Sequence, residues 1–68
     1  MKDRFGNKLE IDDIVKVDLI KKGVPLLKGI VALNRQGNNL IAVNYYSIKG
    51  NLKIKYCTPY MVIKVKKQ

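Results

Sequence analysis

The sequence predicts a small all-β domain of five strands, with one short helical turn before the last strand. Three observations support this fold class. Apolar and polar residues alternate with a period of two in several short segments, which is the pattern of half-buried strands. Glycine, asparagine and proline separate these segments at short intervals. No segment shows an apolar period of about 3.6 residues, so the pattern favours strands over longer helices.

The first predicted strand spans residues 14–20 and follows a lead-in arm formed by residues 1–13. Alternate apolar residues of this strand are predicted to face the core: Val15, Val17 and Leu19. Lys16 is expected on the opposite face. The strand should end before residues 21–25, because glycine adopts unusual backbone angles there and proline cannot donate a hydrogen bond to a strand ladder.

The second predicted strand spans residues 26–34 and contains Gly29, which is expected to mark a bulge or a sharp bend. Residues 35–39 are rich in glycine and asparagine and predict a hairpin loop. The third strand, residues 40–46, has apolar side chains on both faces and is therefore expected to be a central strand.

The fourth and fifth strands are predicted over residues 52–57 and 62–66, on either side of a helical turn. Pro59 excludes a central strand at that turn. The residues predicted to face the core in these two strands are Leu52, Ile54, Tyr56, Ile63 and Val65. The lysines predicted to point away from the core are Lys53, Lys55, Lys64 and Lys66.

This order of elements is that of a five-stranded SH3-like barrel formed by a single domain over residues 1–68, in which the first and last strands are neighbours. Closure suits a small domain because it reduces the number of exposed strand edges. An open antiparallel sheet and an OB-like barrel are the alternatives. An OB-fold usually carries a helix between its third and fourth strands, and residues 47–51 leave no room for one.

The composition argues against an enzyme. A chain of 68 residues buries only about 60% of the surface that its unfolded form exposes, which leaves little volume for a deep substrate pocket. The chain has no histidine and a single cysteine, Cys57, so the commonest general base and a cysteine-based zinc site are both missing. Asp12 and Asp13 are a conceivable carboxylate pair, but adjacent aspartates are more typical of a turn. We therefore expect no catalysis, no metal and no cofactor.

The sequence also favours a cytoplasmic protein. Its apolar stretches are short and broken by Lys, Gly or Asn, and none approaches the roughly 18 residues of a membrane span. Residues 1–6 are not followed by the apolar core of a signal peptide. A single cysteine excludes an internal disulfide and suits a reducing compartment.

Three segments carry a resemblance to a known module: residues 12–17, 28–31 and 40–44. Together they resemble the KOW type of SH3-like barrel. Modules of that type bind RNA or proteins in ribosomes and transcription factors, so the resemblance implies a binding role. The pattern from Asp3, Gly6 and Leu9 into Asp13 and Val15 also resembles the C-terminal barrel of the alkylphosphonate-operon A family, whose opening is shared by small phage and bacterial proteins. Both resemblances imply the same fold.

Charge indicates an anionic partner. The chain carries 14 Lys and Arg against 5 Asp and Glu, a net charge of +9, and no acidic residue follows Asp18. Uncompensated positive charge repels itself, and a polyanion would relieve that repulsion. Because the first and last strands of an SH3-like barrel are adjacent, Lys16, Lys64 and Lys66 are expected on one outer surface. The predicted nucleic-acid-binding residues are Lys16, Lys53, Lys55, Lys64, Lys66 and Tyr46, the last as a stacking platform.

Other interpretations of the same residues stay open. Most of the basic residues are lysines, which also serve solubility and protect strand edges. An accessory protein of phage or mobile-element type could bind an acidic host protein through its loops at residues 21–25 and 35–39. A structural homo-oligomer could form through the apolar faces of the third strand. RNA, DNA and an acidic protein are thus all candidate partners, and no membrane contact is expected.

Overall fold

The computed structural model describes residues 1–65, which form one antiparallel sheet of five strands and a single 3-10 turn. The strands are β1 (Ile14–Val17), β2 (Leu27–Ala32), β3 (Ile41–Tyr46), β4 (Leu52–Cys57) and β5 (Val62–Lys64), and the 3-10 turn is Pro59–Met61. Their order in the sheet is β4-β3-β2-β1-β5. The predicted all-β class, the five strands and the helical turn before the last strand are confirmed, as is the interior position of β3.

The sheet is open, with β4 and β5 at its two ends. A closed barrel would require these two strands to pair, and within residues 1–65 they do not. The outer edge of β5 is instead covered by the N-terminal arm. The backbone N–H of Arg4 donates to the carbonyl oxygen of Val62 at 2.8 Å, and the N–H of Lys64 donates to Oδ2 of Asp3 at 2.9 Å. The arm thereby satisfies backbone groups that a barrel would satisfy by closure.

Strand β2 is shared between the two halves of the sheet. Residues 27–30 pair with β1, and residues 30–32 pair with β3, so the two ladders overlap at Ile30. Gly29 lies at this change of partner. A Cβ atom there would clash with the Val43 side chain and lie 2.8 Å from the carbonyl oxygen of Asn44. The close approach of β2 to β3 therefore requires glycine at this position.

The core lies on one face of the sheet and receives side chains from every strand. Its buried members are Leu9, Val15, Val17, Val31, Ile41, Val43, Cys57 and Val62. Leu19, Leu27 and Met61 pack against this cluster from its margins. Burying one such aliphatic side chain contributes about 1.5–3 kcal/mol. For the first strand the predicted core residues are confirmed, since Val15 and Val17 are buried and Leu19 is half-buried.

The predicted facing of β4 is wrong. Lys55 lies opposite Val43, and Cys57 lies opposite Ile41, so the lysines of β4 share the face that carries the core. Leu52, Ile54 and Tyr56, which the sequence predicts to be inward, lie on the other face. Because Cys57 is fully buried, the alternate residues of β4 that share its face also lie on the core side. At a sheet edge, long lysine stems can extend past the margin of the core toward water.

The predicted facing of β5 is wrong as well. Val62 is buried opposite Val17, and Lys64 lies opposite Val15, which places Lys64 on the core side and Ile63 on the other. By strand alternation the predicted inward residue Val65 falls on the side of Ile63. The N-terminal arm explains how a lysine is accommodated there, because it supplies polar partners for the ammonium group. Lys66 lies outside the described residues.

Candidate nucleic-acid interface

The face of the sheet opposite the core, here called the outer face, carries a row of exposed apolar side chains. Ile14, Ile30, Asn44 and Ile54 are successive cross-strand partners and so form one line across four strands. The three isoleucines are each between 42% and 47% exposed. Exposed apolar side chains that lie next to charged and polar ones can provide contact area for a ligand. The outer face is therefore the candidate interface.

Two lysines are held together on the outer face. Lys16 of β1 lies directly opposite Lys28 of β2, one step along the strands from the Ile14–Ile30 pair, and both lysines are exposed. Like charges at directly opposed positions are unfavourable. The ion pairs found within residues 1–65 are Arg4–Asp18 and Lys64–Asp13, and neither of them involves this lysine pair. An anion placed between the two ammonium groups would relieve their repulsion.

An open groove of about 630 Å³ lies beside the lysine pair. It is bordered by Ile14 and Lys28 from the first two strands and by Tyr46 and Leu52 from the β3–β4 hairpin. The groove follows from the pairing of β2, because this strand no longer pairs with β3 on the N-terminal side of Ile30. Its size falls within the range of ligand-binding clefts, about 300–1,000 Å³.

Two tyrosines line the groove, Tyr45 and Tyr46, and Tyr46 is the more exposed of the two. Tyr46 is the last residue of β3, lies opposite Leu52 and is 70% exposed. Tyr56 shares the outer face but is only half-exposed, beside the buried Ala42. Tyr46 is therefore the tyrosine of this face that is best placed to offer its ring to a ligand.

Contrary to the sequence prediction, the structure does not place Lys16 and Lys64 on one surface. On the outer face the partner of Lys16 in β5 is Ile63, whereas Lys64 is on the core side. The ammonium of Lys64 lies 3.5 Å from Oδ2 of Asp13 and donates to the carbonyl oxygen of Lys8 at 3.0 Å. The other predicted lysines, Lys53 and Lys55, project from the core side of the β4 edge.

Of the predicted binding residues that the structure describes, Lys16 and Tyr46 belong to the outer face, and Lys28 joins them. The sequence interpretation missed Lys28. Because Lys28 lies between Leu27 and Gly29, alternation along the strand places its side chain outward. Which residue of β1 lies opposite Lys28 depends on the register between β1 and β2. That register is set across the irregular segment 18–26 and has no local signal.

The Asp12–Asp13 pair forms a turn, as predicted. Asp12 has a positive φ of 76°, and Oδ2 of Asp13 accepts the backbone N–H of Glu10 at 2.8 Å. Because Asp13 also faces the ammonium of Lys64, its carboxylate is engaged in holding the arm against the sheet. The arrangement is structural.

Two further acids are engaged in the same region. Oδ2 of Asp18 accepts a hydrogen bond from Arg4 at 2.8 Å, and this bond, followed by one from the N–H of Ile20, lowers the pKa of Asp18. Burial alone would raise the pKa of Asp3, but hydrogen bonds from the backbone of Lys64 and from the Asn7 side chain, among others, outweigh it and lower the pKa. Both carboxylates are charged at neutral pH, and their negative charge is located where the N-terminal arm meets β1 and β5.

Little in the described chain suggests other chemistry. Within residues 1–65 no three His, Cys, Asp or Glu side chains come together as metal ligands. The thiol of Cys57 is buried, and burial raises its pKa, which disfavours the reactive thiolate. No helix in the described part of the chain is long and apolar enough to cross a membrane.

Comparison with known proteins gives no relative from which a function could be transferred. No family model matches the sequence, no curated protein matches it, and no solved structure matches the fold.

Proposed function

We propose that this protein is a non-catalytic binding module for nucleic acid and that the outer face makes the contact. The observation that carries the proposal is the direct opposition of Lys16 and Lys28, both exposed, beside a groove bordered by Tyr46. Phosphate groups are the anions that such a pair attracts, since closely spaced lysines displace condensed counterions from a nucleic acid. An exposed tyrosine ring next to them provides a stacking surface for a base.

The distribution of charge supports the proposal. All 5 acidic residues lie at or before Asp18, and the net charge is +9. Asp3, Asp13 and Asp18 are engaged by groups of the N-terminal arm and of the strands next to it. Asp12 is the acid that borders the groove. Most of the outer face therefore lies in an uncompensated positive field, which steers a polyanion toward it.

The type of fold is a further argument for a nucleic-acid-binding role. We infer that the sheet is an SH3-like barrel left open at one seam, because β5 and β1 are neighbours and β2 is divided between two partners as barrel curvature requires. The resemblance of residues 12–17, 28–31 and 40–44 to KOW modules points the same way. Modules of that type bind RNA or protein, and the charge of this chain favours RNA or DNA.

The test is a binding titration with fluorescently labelled single-stranded DNA, RNA and duplex DNA at about 50 and 200 mM salt, a range over which binding to phosphate weakens strongly. The informative variant is Lys16→Gln/Lys28→Gln. Its matched control is Lys49→Gln/Lys53→Gln, which removes the same charge from outside the groove. We expect affinity to fall steeply with salt. The slope of log affinity against log salt concentration should become shallower by about 0.7–0.9 for each phosphate that the Lys16→Gln/Lys28→Gln variant no longer neutralises.

Two outcomes would contradict the proposal. Equal decreases in affinity for the two double variants would show that net charge, and not the outer face, is responsible. No binding at the lower salt concentration would remove nucleic acid as the partner and would leave an acidic protein as the next candidate.

A further inference from the structure

Asn44 is the polar exception in the apolar row of the outer face. Its cross-strand neighbours on this face are Ile30 and Ile54, and its side chain is half-buried between them. Within residues 1–65 the Asn44 amide makes no hydrogen bond, whereas the amide of Asn34 donates to the backbone of Leu40 at 2.7 Å. A carboxamide offers two donors and an acceptor oxygen. Within the described residues neither polar atom of this amide is buried without a partner, so water satisfies it, and the polar edge of a ligand can replace that water.

The groove brings this amide together with an aromatic ring. Asn44, Tyr46 and Ile30 all line it, and Leu52 lies opposite Tyr46 at its border. A flat ligand that has an apolar face and a polar edge would match these groups, with the face against Tyr46 and the edge toward the amide. Nucleobases have this chemistry, and asparagine pairs well with their donor and acceptor pattern. Lys28 also borders the groove, where it would meet the phosphate attached to such a base.

We propose, on the basis of the nucleic-acid function above, that the groove takes one unpaired base and that the protein selects single-stranded over duplex nucleic acid. In a duplex the faces of the bases are stacked and their pairing edges are occupied, so neither reaches the Tyr46 ring or the Asn44 amide. In a single strand a base can turn outward into the groove while its phosphate stays near Lys16 and Lys28. Tyr46 and Asn44 are thus assigned as the residues that recognise the base.

Charge favours a nucleic acid over a second copy of the chain as the occupant of the groove. A second copy would bring another net charge of +9 to a face that already holds the Lys16–Lys28 pair. An apolar peptide would cover the isoleucines but would leave both the lysines and the Asn44 amide unpaired. A single-stranded nucleic acid provides phosphate for the lysines, a ring for Tyr46 and hydrogen-bonding groups for Asn44.

The experiment compares the binding of a labelled oligonucleotide of about 10 nucleotides, within the range bound by one small domain, with that of the same strand annealed to its complement. The variants are Tyr46→Leu, Tyr46→Phe and Asn44→Leu. We expect wild-type protein to prefer the single strand at least tenfold. Tyr46→Leu should lower single-strand affinity about 5- to 100-fold, the effect of removing one base stack, and Tyr46→Phe should retain most of it. Neither change should alter duplex affinity.

Asn44→Leu has its own readout. Homopolymers of the four bases should differ in affinity for wild-type protein, and this variant should reduce the difference by about 5- to 100-fold, the discrimination provided by one good hydrogen-bonded pairing with a base. Thermal unfolding checks that each variant is folded. If a variant is not folded, the shift of the Asn44 side-chain amide resonance on adding the single strand to wild-type protein decides the same question.

The outcomes separate the two proposals. Salt-sensitive binding that depends on Lys16 and Lys28 but is equal for single strand and duplex would overturn the base-groove assignment and leave the nucleic-acid function in place. Absence of binding to every oligonucleotide would overturn both. Unchanged single-strand affinity in folded Tyr46→Leu, or an unmoved Asn44 amide resonance in the complex, would also overturn the assignment.

Discussion

Arg4 and Asp18 are joined by a 2.8 Å bond between the guanidinium Nη2 and the carboxylate Oδ2, which ties the N-terminal arm to the end of β1. The same guanidinium donates from Nε to the carbonyl oxygen of Tyr60 at 2.7 Å and lies 4.6 Å from the centre of the Tyr60 ring. One side chain thus connects three segments that are distant in sequence. The arm lies along the outer edge of β5, so this contact also protects a strand edge.

Replacing Arg4 with methionine should lower the melting temperature by several degrees. The substitution keeps most of the side chain's length but removes both hydrogen bonds and the stacking on Tyr60. Because a small domain has a low unfolding entropy, even a modest decrease in stability is visible as a shift of this size. Lys2→Met is the matched control, since Lys2 is an exposed cation of the same arm. Equal melting temperatures for the two variants would show that the Arg4 contacts do not hold the arm.

Acid should destabilise the fold through Asp3 and Asp18. Both carboxyl groups have a folded-state pKa below the ordinary value of 3.8. A lowered pKa means that the charged form is favoured by folding, so the stabilisation is complete well above pH 3.8 and is lost as pH falls through the folded-state values. Urea unfolding between about pH 2 and pH 7 measures this decline. Asp18→Asn should flatten the curve at low pH, and an unchanged curve in this variant would contradict the assignment.

Gly29→Ala should destabilise the protein by about 1–3 kcal/mol, the usual cost of overpacking. The added Cβ would meet the Val43 side chain and the Asn44 carbonyl oxygen, and this backbone oxygen cannot turn away as a side chain would. Gly23→Ala is the contrasting control, because it has open space around it and a positive φ of 79°. Its cost is conformational strain of about 1–2 kcal/mol. Denaturant unfolding measures both variants, and a destabilisation by Gly29→Ala well below about 1 kcal/mol would refute the close approach of β2 to β3.

The strands of this fold are predictable because their signals are local. Alternation at Val15 and Val17 predicts β1, and Pro59 predicts that the helical turn before β5 interrupts the sheet. Local patterns of residue type do not predict that the sheet stays open between β4 and β5. The edge of β5 is covered by the Asp3 carboxylate, which accepts the backbone N–H of Lys64, and by the backbone N–H of Arg4, which donates to Val62; the order of residue types does not reveal such contacts.

The candidate site shows the same limit. Lys16 and Tyr46 carry recognisable signals, a cation on an outward strand position and an aromatic residue at a strand end. The pairing of Lys16 with Lys28 depends on register, which is a long-range property. In β4 the sequence pattern predicts the wrong facing, because Leu52 and Ile54 are more hydrophobic than Cys57, yet Cys57 is the residue that reaches the core. At a sheet edge, residue type predicts facing poorly because either side of the strand can reach water.

The corrected facing of β4 can be tested with two chemically identical substitutions. Ile54→Ala removes a side chain that is 47% exposed on the outer face, whereas Ile41→Ala removes one that is 1% exposed in the core. The core substitution should cost about 2–5 kcal/mol, because it leaves a cavity. The outer-face substitution should cost about 1 kcal/mol or less, within the span of strand propensities. Chemical denaturation measures both, and similar decreases in stability at the two positions would mean that Ile54 faces the core after all and that Lys53 and Lys55 belong to the outer face.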